Sequence, residues 1–110
     1  ATRQAVLSRP ALTATLARHP GPVAERIAAF TERGFRVDEA RGTAGMILHD
    51  PLAVAVALDP GLVQWEAVRI VVGGEGETRR AAGAPNCRIA RRVDVGRFLP
   101  SFLERLCPAS

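Results

Sequence analysis

The stretch that decides the fold is residues 46–60, Met-Ile-Leu-His-Asp-Pro-Leu-Ala-Val-Ala-Val-Ala-Leu-Asp-Pro. Every residue from Leu52 to Leu58 is aliphatic, which predicts a segment that is buried on all sides. His49 and Asp50 stand at its entrance, where ionisable groups must either be satisfied locally or serve a function. We therefore place the candidate chemistry of this chain at these two residues.

The secondary structure of this segment is ambiguous from its pattern alone. Its larger aliphatic residues alternate with alanines, which suits a strand of period two as well as a buried helix. Asp50 before Pro51 decides for the helix, because aspartate is a preferred N-cap and proline a preferred first helical residue. Alanine at every second site favours the same choice. We expect the helix to end at the Asp-Pro-Gly turn of residues 59–61.

The rest of the chain predicts short helices and strands in turn. Upstream, we predict a strand end within residues 1–7, helices at 10–18 and 22–34, a left-handed cap at Gly34, and a loop at 35–45 that is either a solvated surface or a mobile lid. Downstream, we predict strands at 65–72, 77–82 and 86–93, a glycine turn at 73–76, and a helix from its Asp94 cap to Leu106 that Pro100 kinks or delays.

Composition indicates one domain or a piece of a larger one. The chain has 110 residues, 47% of them hydrophobic, which is enough for one modest core. None of its apolar runs approaches the about 20 residues that cross a bilayer. Cys87 and Cys107 have no partner at metal-ligand spacing, so we expect two reduced thiols. We expect a soluble, cytoplasmic protein with no membrane partner.

The positive charge of the chain raises the question of nucleic-acid binding. The net charge is +4, and all 15 basic residues are arginine. The absence of lysine, beside abundant Ala, Gly and Pro, indicates biased codon usage, and the few aromatic residues offer little surface for base stacking. We expect no nucleic-acid partner and keep such binding as the weakest alternative. The densest basic patch consists of Arg79, Arg80, Arg88, Arg91, Arg92 and Arg97.

From spacing alone, His49 and Asp50 have a structural and a chemical interpretation. A helix N-terminus favours a carboxylate, and an outward oxygen of Asp50 could bind a hard cation. Calcium, however, takes about six to eight oxygens, and the nearby acids Asp38, Glu39 and Asp59 have no spacing that completes a cage. Spacing therefore favours a capping aspartate beside a hydrogen-bonded histidine.

A family resemblance adds to this interpretation. The segment from His49 to Pro60 resembles the C-terminal signature of the inosine-uridine-preferring nucleoside hydrolases, in which His-Asp-Pro opens an apolar helix that ends in Asp-Pro. Further stretches resemble the family in the same order, and together they cover nearly the whole chain. They are Thr2-Arg3-Gln4 with Val6-Leu7, Gly76-Glu77-Thr78-Arg79, Pro85-Asn86, Arg88-Ile89-Ala90, Val93-Asp94 and the helix at 98–106.

The resemblance implies an α/β fold. It would be the C-terminal part of a nucleoside-hydrolase-like (Rossmann-like) fold, with about four helices and about two to four strands. Residues 1–110 would form a single domain or a fragment, the C-terminal third of such an enzyme.

The resemblance also implies roles for the two candidate residues. His49 corresponds to the histidine that protonates the departing purine, and Asp50 to an aspartate ligand of the active-site calcium. The family hydrolyses the N-glycosidic bond of ribonucleosides, with a calcium-bound water that an aspartate from the N-terminal part activates. This chemistry suits both residues, because a metal lowers the pKa of bound water and an acid assists a poor leaving group.

The chain departs from the family pattern in what it lacks. The family's aspartate-rich calcium motif and its ribose-binding Asn/Glu segment are absent from residues 1–110. We therefore expect a fragment that is inactive alone and binds neither calcium nor ribonucleoside until an N-terminal part completes it. The alternative is a non-catalytic binding module. We also expect a homo-oligomer, because a sheet that lacks most of its strands leaves apolar surface to be covered.

Overall fold

Two small antiparallel sheets and four α-helices make up the computed structural model, which describes residues 1–108. The helices are α1 (Arg9–Ala17), α2 (Pro22–Ala40), α3 (His49–Leu58) and α4 (Val95–Leu106). The strands are β1 (Val6–Leu7), β2 (Met46–Ile47), β3 (Val63–Val72), β4 (Thr78–Ala81) and β5 (Cys87–Val93), and 3-10 turns lie at Thr2–Gln4 and Pro60–Leu62. The α/β class predicted from the sequence is confirmed.

The larger sheet has the strand order β4-β3-β5, and both outer strands run antiparallel to β3. All three strands were predicted, because β-branched residues and a glycine-rich turn are local signals. Asn86 extends the pairing with its side chain. The Ile70 N–H donates to Asn86 Oδ1 at 2.9 Å, and Asn86 Nδ2 donates to the Ile70 carbonyl at 2.8 Å. The sheet therefore connects the end of α3 to the start of α4 as one antiparallel unit.

The smaller sheet pairs β1 with β2 and brings the N-terminal segment to the entrance of α3. Leu7 lies opposite Met46, and the Leu48 N–H donates to the Ala5 carbonyl at 2.9 Å. Gly45 permits this approach, because a Cβ at that position would lie 2.1 Å from the Leu7 carbonyl oxygen. β1 also confirms the strand end that was predicted ahead of α1.

The core is formed where residues of α1, α2, α4 and the smaller sheet join one face of α3. Phe98 and Leu7 are each 1% exposed, and Leu52 of α3 is 3% exposed. On the same helix, Val54 and Leu58 are 62% and 67% exposed. The prediction that α3 is buried on all sides is therefore wrong for the chain as described, because its packing partners, chiefly α4 and the two 3-10 turns, do not surround it.

α2 continues through Gly34, where the sequence predicted a left-handed cap. The backbone φ of Gly34 is not positive, and the first glycine after α2, Gly42, has a positive φ of 88°. The predicted loop at 35–45 is therefore wrong over residues 35–40, which are helical. Only the short segment between Ala40 and Met46 remains of the predicted loop.

Packing explains why α2 does not end at its glycine. Phe35, the next residue, is 2% exposed, and the Arg9 guanidinium lies over its ring at 4.8 Å from the centroid. Arg9 also pairs with Glu32 at 2.7 Å and with Glu39. The start of α1 is thus tied to α2 on both sides of the glycine. These contacts offset the cost of a helical glycine, which is about 1 kcal/mol.

α4 begins where the sequence predicted. Asp94 is its N-cap, and the Asp94 carboxylate accepts a hydrogen bond from the Arg97 N–H at 3.1 Å. Pro100 lies inside the helix and does not delay its start. The rings of Phe98 and Phe102 stack with centroids 6.0 Å apart on the apolar face of α4. Neither this helix nor any other within residues 1–108 has both the length and the apolar character to cross a bilayer.

Candidate active site

The candidate site lies at the junction of β2 and α3. Leu48 is the N-cap of α3, and His49 and Asp50 are the first two helical residues. Asp50 therefore does not cap the helix, contrary to the sequence prediction. The helix begins two residues earlier because Leu48 is buried and is held by its backbone bond to Ala5. Asp50 instead lies in the first turn, where the free N–H groups and the helix dipole favour a carboxylate.

His49 is exposed at the surface but has a specific partner. Its Nδ1 lies 2.8 Å from Thr2 Oγ1, in the first 3-10 turn of the chain. Within residues 1–108, the Thr2 contact is the one side-chain hydrogen bond found for His49. Nε2 thus stays available to a ligand. Thr2 belongs to one of the segments that resemble the family, but its sequence context predicted no role for it. Its contact with His49 could not be foreseen because 47 positions separate the two residues.

Gln4 fastens that 3-10 turn to the larger sheet. Its Nε2 donates to the Arg91 carbonyl at 3.0 Å, and its Oε1 accepts from the Val93 N–H at 3.0 Å. A side-chain amide can satisfy a backbone donor and a backbone acceptor at once, as Gln4 does here. The turn that carries Thr2 is therefore anchored to β5 as well as to α3.

An apolar groove of about 650 Å³ runs between α3 and α4, with Asp50 at one end. Asp59, at the other end of α3, pairs with Arg97 of α4. The groove is lined chiefly by Val54, Ala55, Leu58, Leu62, Phe98 and Phe102. Apolar surface thus begins within one turn of the His49-Asp50 pair and continues along α3.

The acids considered as further calcium ligands are engaged elsewhere. Asp38 accepts from the Ile47 N–H at 2.8 Å, Glu39 pairs with Arg9, and Asp59 pairs with Arg97. In the part of the chain that the structure describes, no three His, Cys, Asp or Glu side chains converge to hold a metal ion. Asp50 offers one carboxylate where calcium needs about six to eight oxygens. The side chains described in residues 1–108 therefore do not come together as a calcium site by themselves.

Two comparisons with known proteins, one of sequence and one of structure, give a match. Residues 1–100 match the sequence model of a family described as inosine-uridine preferring nucleoside hydrolase. The fold is similar to that of a purine-preferring ribonucleoside hydrolase from Gardnerella vaginalis, with a TM-score of 0.82 and 30% sequence identity. The similarity covers 96% of this chain and 37% of that protein. Curated proteins contain no match to this sequence.

The resemblance inferred from the His-Asp-Pro segment is thus confirmed over most of the chain. The family match includes the Thr2 turn, His49, Asp50 and the rest of α3, and it ends within α4, before the groove-lining residue Phe102. The chain spans little more than a third of the length of its structural relative. This chain belongs to the inosine-uridine preferring nucleoside hydrolase family.

Proposed function

We propose that this chain supplies part of the active site of a ribonucleoside N-glycosidase and is inactive without an N-terminal part. In this proposal His49 protonates the departing purine, and Asp50 contributes one ligand to a calcium site completed by the N-terminal part. The observation that carries the proposal is the placement of the two residues, both exposed, on the first turn of α3. The match to little more than a third of a purine-preferring hydrolase supports the need for completion.

The surroundings of His49 suit a proton donor. A general acid needs one ring nitrogen free to reach the leaving group, and the Thr2 contact engages Nδ1 and not Nε2. The exposure of His49 leaves room for a base to approach. A positioned acid of this kind contributes about 10²- to 10⁴-fold to the rate. We therefore assign the leaving-group side of the reaction to this chain.

The test measures ribose release from inosine and uridine, with and without calcium. We expect none from this chain alone, and calcium-dependent release when it is joined to the N-terminal part of the purine-preferring relative. In the joined enzyme, His49→Ala should lower the rate of inosine hydrolysis by about 10²- to 10⁴-fold. His19→Ala, which changes the chain's other histidine, is the matched control. Calcium-dependent ribose release by the chain alone would contradict the proposal.

The role of Asp50 is tested by the calcium requirement of the same joined enzyme. Asp50→Asn should raise the calcium concentration needed for half-maximal activity, because an amide oxygen is a weaker calcium ligand than a carboxylate. Asp59→Asn is the matched control at the opposite end of α3, where the carboxylate pairs with Arg97. Equal calcium requirements in the two variants would remove Asp50 from the ligand set.

A second candidate function is a self-associating module, and the exposed apolar surface favours it. Val54 and Leu58 of α3 are more than half exposed beside the 650 Å³ groove, and Phe30 of α2 is 77% exposed. Soluble monomers rarely leave such patches uncovered. We propose that the isolated chain forms homo-oligomers through α3. Light scattering should report a mass above that of the 11.7 kDa monomer, and Leu58→Glu should lower it. A monomer at micromolar concentration would contradict this candidate.

Nucleic acid is not proposed as a partner, because the densest basic patch is largely paired. Arg80 and Arg91 both contact Glu66, at 3.0 and 3.2 Å. Arg88 lies 5.4 Å from the centre of the Trp65 ring. Charges held by acidic partners contribute less to phosphate binding.

A cytoplasmic location is part of the same proposal. Cys87, which is exposed, and Cys107, which is buried, are both free thiols. An exposed free thiol suits a reducing compartment. Labelling of Cys87 by a thiol reagent in protein taken directly from cells would support this location, and its oxidation there would contradict it.

A further inference from the structure

We infer that Thr2 is a positioning residue that orients His49, and that Gln4 holds Thr2 in place. The inference rests on the proposed function of His49. It starts from the 2.8 Å contact between His49 Nδ1 and Thr2 Oγ1. This contact joins the first turn of α3 to the start of the chain, and the exposed His49 ring has no side-chain hydrogen bond to any other described residue.

The Thr2 turn is itself anchored to β5 by two hydrogen bonds and is closed by a third within the turn. The Gln4 amide forms hydrogen bonds with the backbone of Arg91 and Val93, both at 3.0 Å. The turn is closed internally, because the Ala5 N–H donates to the Thr2 carbonyl at 3.0 Å. A rotation of the turn would break both Gln4 bonds at once. Thr2 is therefore a fixed point against which the imidazole can be held.

A hydroxyl suits this position chemically. It can accept a hydrogen bond from a protonated Nδ1 or donate one to an unprotonated Nδ1. The contact is therefore kept in both protonation states of the ring. Because the two nitrogens occupy fixed places in a rigid ring, holding Nδ1 also directs Nε2. Thr2 thus limits rotation of the His49 ring and keeps Nε2 oriented towards the leaving base.

The first experiment measures the imidazole nitrogens of the chain by ¹⁵N NMR at one fixed pH. Thr2→Val removes the hydroxyl at nearly constant shape and should shift the His49 Nδ1 resonance, whereas Thr2→Ser should retain it. His19 is the internal reference, and an unchanged Val93 amide resonance shows that the Gln4 anchor is intact. Unchanged His49 nitrogens in Thr2→Val, with that anchor intact, would overturn the inference.

A second experiment separates this inference from the proposed function. In the joined enzyme, inosine is compared with a nitrophenyl riboside, whose leaving group departs as a stable anion without a proton. Thr2→Val should lower kcat for inosine by at least tenfold with little change in KM, leave the nitrophenyl riboside almost unaffected, and be rescued by Thr2→Ser. If His49→Ala slows both substrates equally, the proposed role of His49 fails. If His49→Ala is selective for inosine and Thr2→Val is not, only the role of Thr2 fails.

Discussion

Gly45 approaches Leu7 so closely that a Cβ on the glycine would lie 2.1 Å from the Leu7 carbonyl oxygen. No side chain can be accommodated there without moving the backbone. Leu7 and Met46 are paired across the smaller sheet, and β2 leads within two residues to His49. The contact therefore controls both the packing of the N-terminal segment and the position of the candidate active site.

Gly45→Ala should destabilise the chain because it forces β1 and β2 apart. Overpacking in a tight site costs about 1–3 kcal/mol, and urea unfolding should show a loss of at least that size. Gly74→Ala is the matched control, because a Cβ at Gly74 would meet no heavy atom within 4 Å. Similar unfolding free energies for the two variants would show that the smaller sheet is looser than the structure indicates.

α3 should respond very differently to the same substitution on its two faces. Leu52→Ala removes a side chain that is 3% exposed and should lower the free energy of unfolding by about 2–5 kcal/mol. Leu58→Ala, on the same helix, changes a side chain that is 67% exposed and should alter it by less than about 0.5 kcal/mol. The free energy of unfolding of both variants is measured with a denaturant, at a protein concentration low enough to prevent self-association. A large loss from Leu58→Ala in dilute monomer would mean that the exposed face of α3 is covered within the chain.

Arg9, Glu32, Glu39 and Arg36 form a cluster of ion pairs at the junction of α1 and α2. This Arg9 cluster should make the stability of the fold depend on pH in the acid range. Hydrogen bonds from Arg9, and then from Arg36, hold the pKa of Glu32 below its usual value. A carboxylate with a lowered folded-state pKa stabilises the fold above its unfolded pKa of about 4.3. That contribution is lost as the pH falls from there through the folded-state pKa.

Arg9→Met tests this cluster. NMR titration should show a higher pKa for Glu32 in this variant, and the dependence of unfolding on pH below about 4.3 should weaken. Arg26→Met, an exposed change on α2, is the control and should leave the Glu32 titration as it is. An unchanged Glu32 pKa in Arg9→Met would assign the lowering to Arg36 alone.

Glu66 should contribute to the cohesion of the larger sheet. It lies on the central strand and reaches Arg80 on β4 at 3.0 Å and Arg91 on β5 at 3.2 Å. Glu66→Gln should lower the thermal midpoint slightly, and 1 M salt should shrink the difference because exposed ion pairs are screened. Glu104→Gln removes one negative charge from an exposed residue of α4 and is the control. Its effect on the thermal midpoint should not depend on salt. A salt-independent loss at Glu66 would point to packing rather than charge.

Local sequence signals were sufficient for several elements. The Asp94 cap, the glycine turn of the larger sheet and the helix after the His-Asp-Pro segment depend on neighbouring residues, and each was predicted and found. The family was also recognisable from short motifs, because these residues are adjacent in the chain. The predictions were wrong where residues distant in the sequence determine the local structure. Gly34 is a plausible helix end in isolation, but Arg9 and the buried Phe35 keep α2 intact beyond it.

The candidate site shows the same division. Sequence alone determined that His49 and Asp50 are neighbours at the start of an apolar helix, since chain order guarantees that placement. Only the tertiary structure decided that Leu48 rather than Asp50 caps α3, that a single residue of the helix, Leu52, is buried in the described chain, and that Thr2 meets His49. These placements depend on residues far apart in the chain, because β1 pairs with β2, Leu48 bonds to Ala5, and Gln4 holds the Thr2 turn against β5. Such long-range pairing leaves no signal in the local sequence.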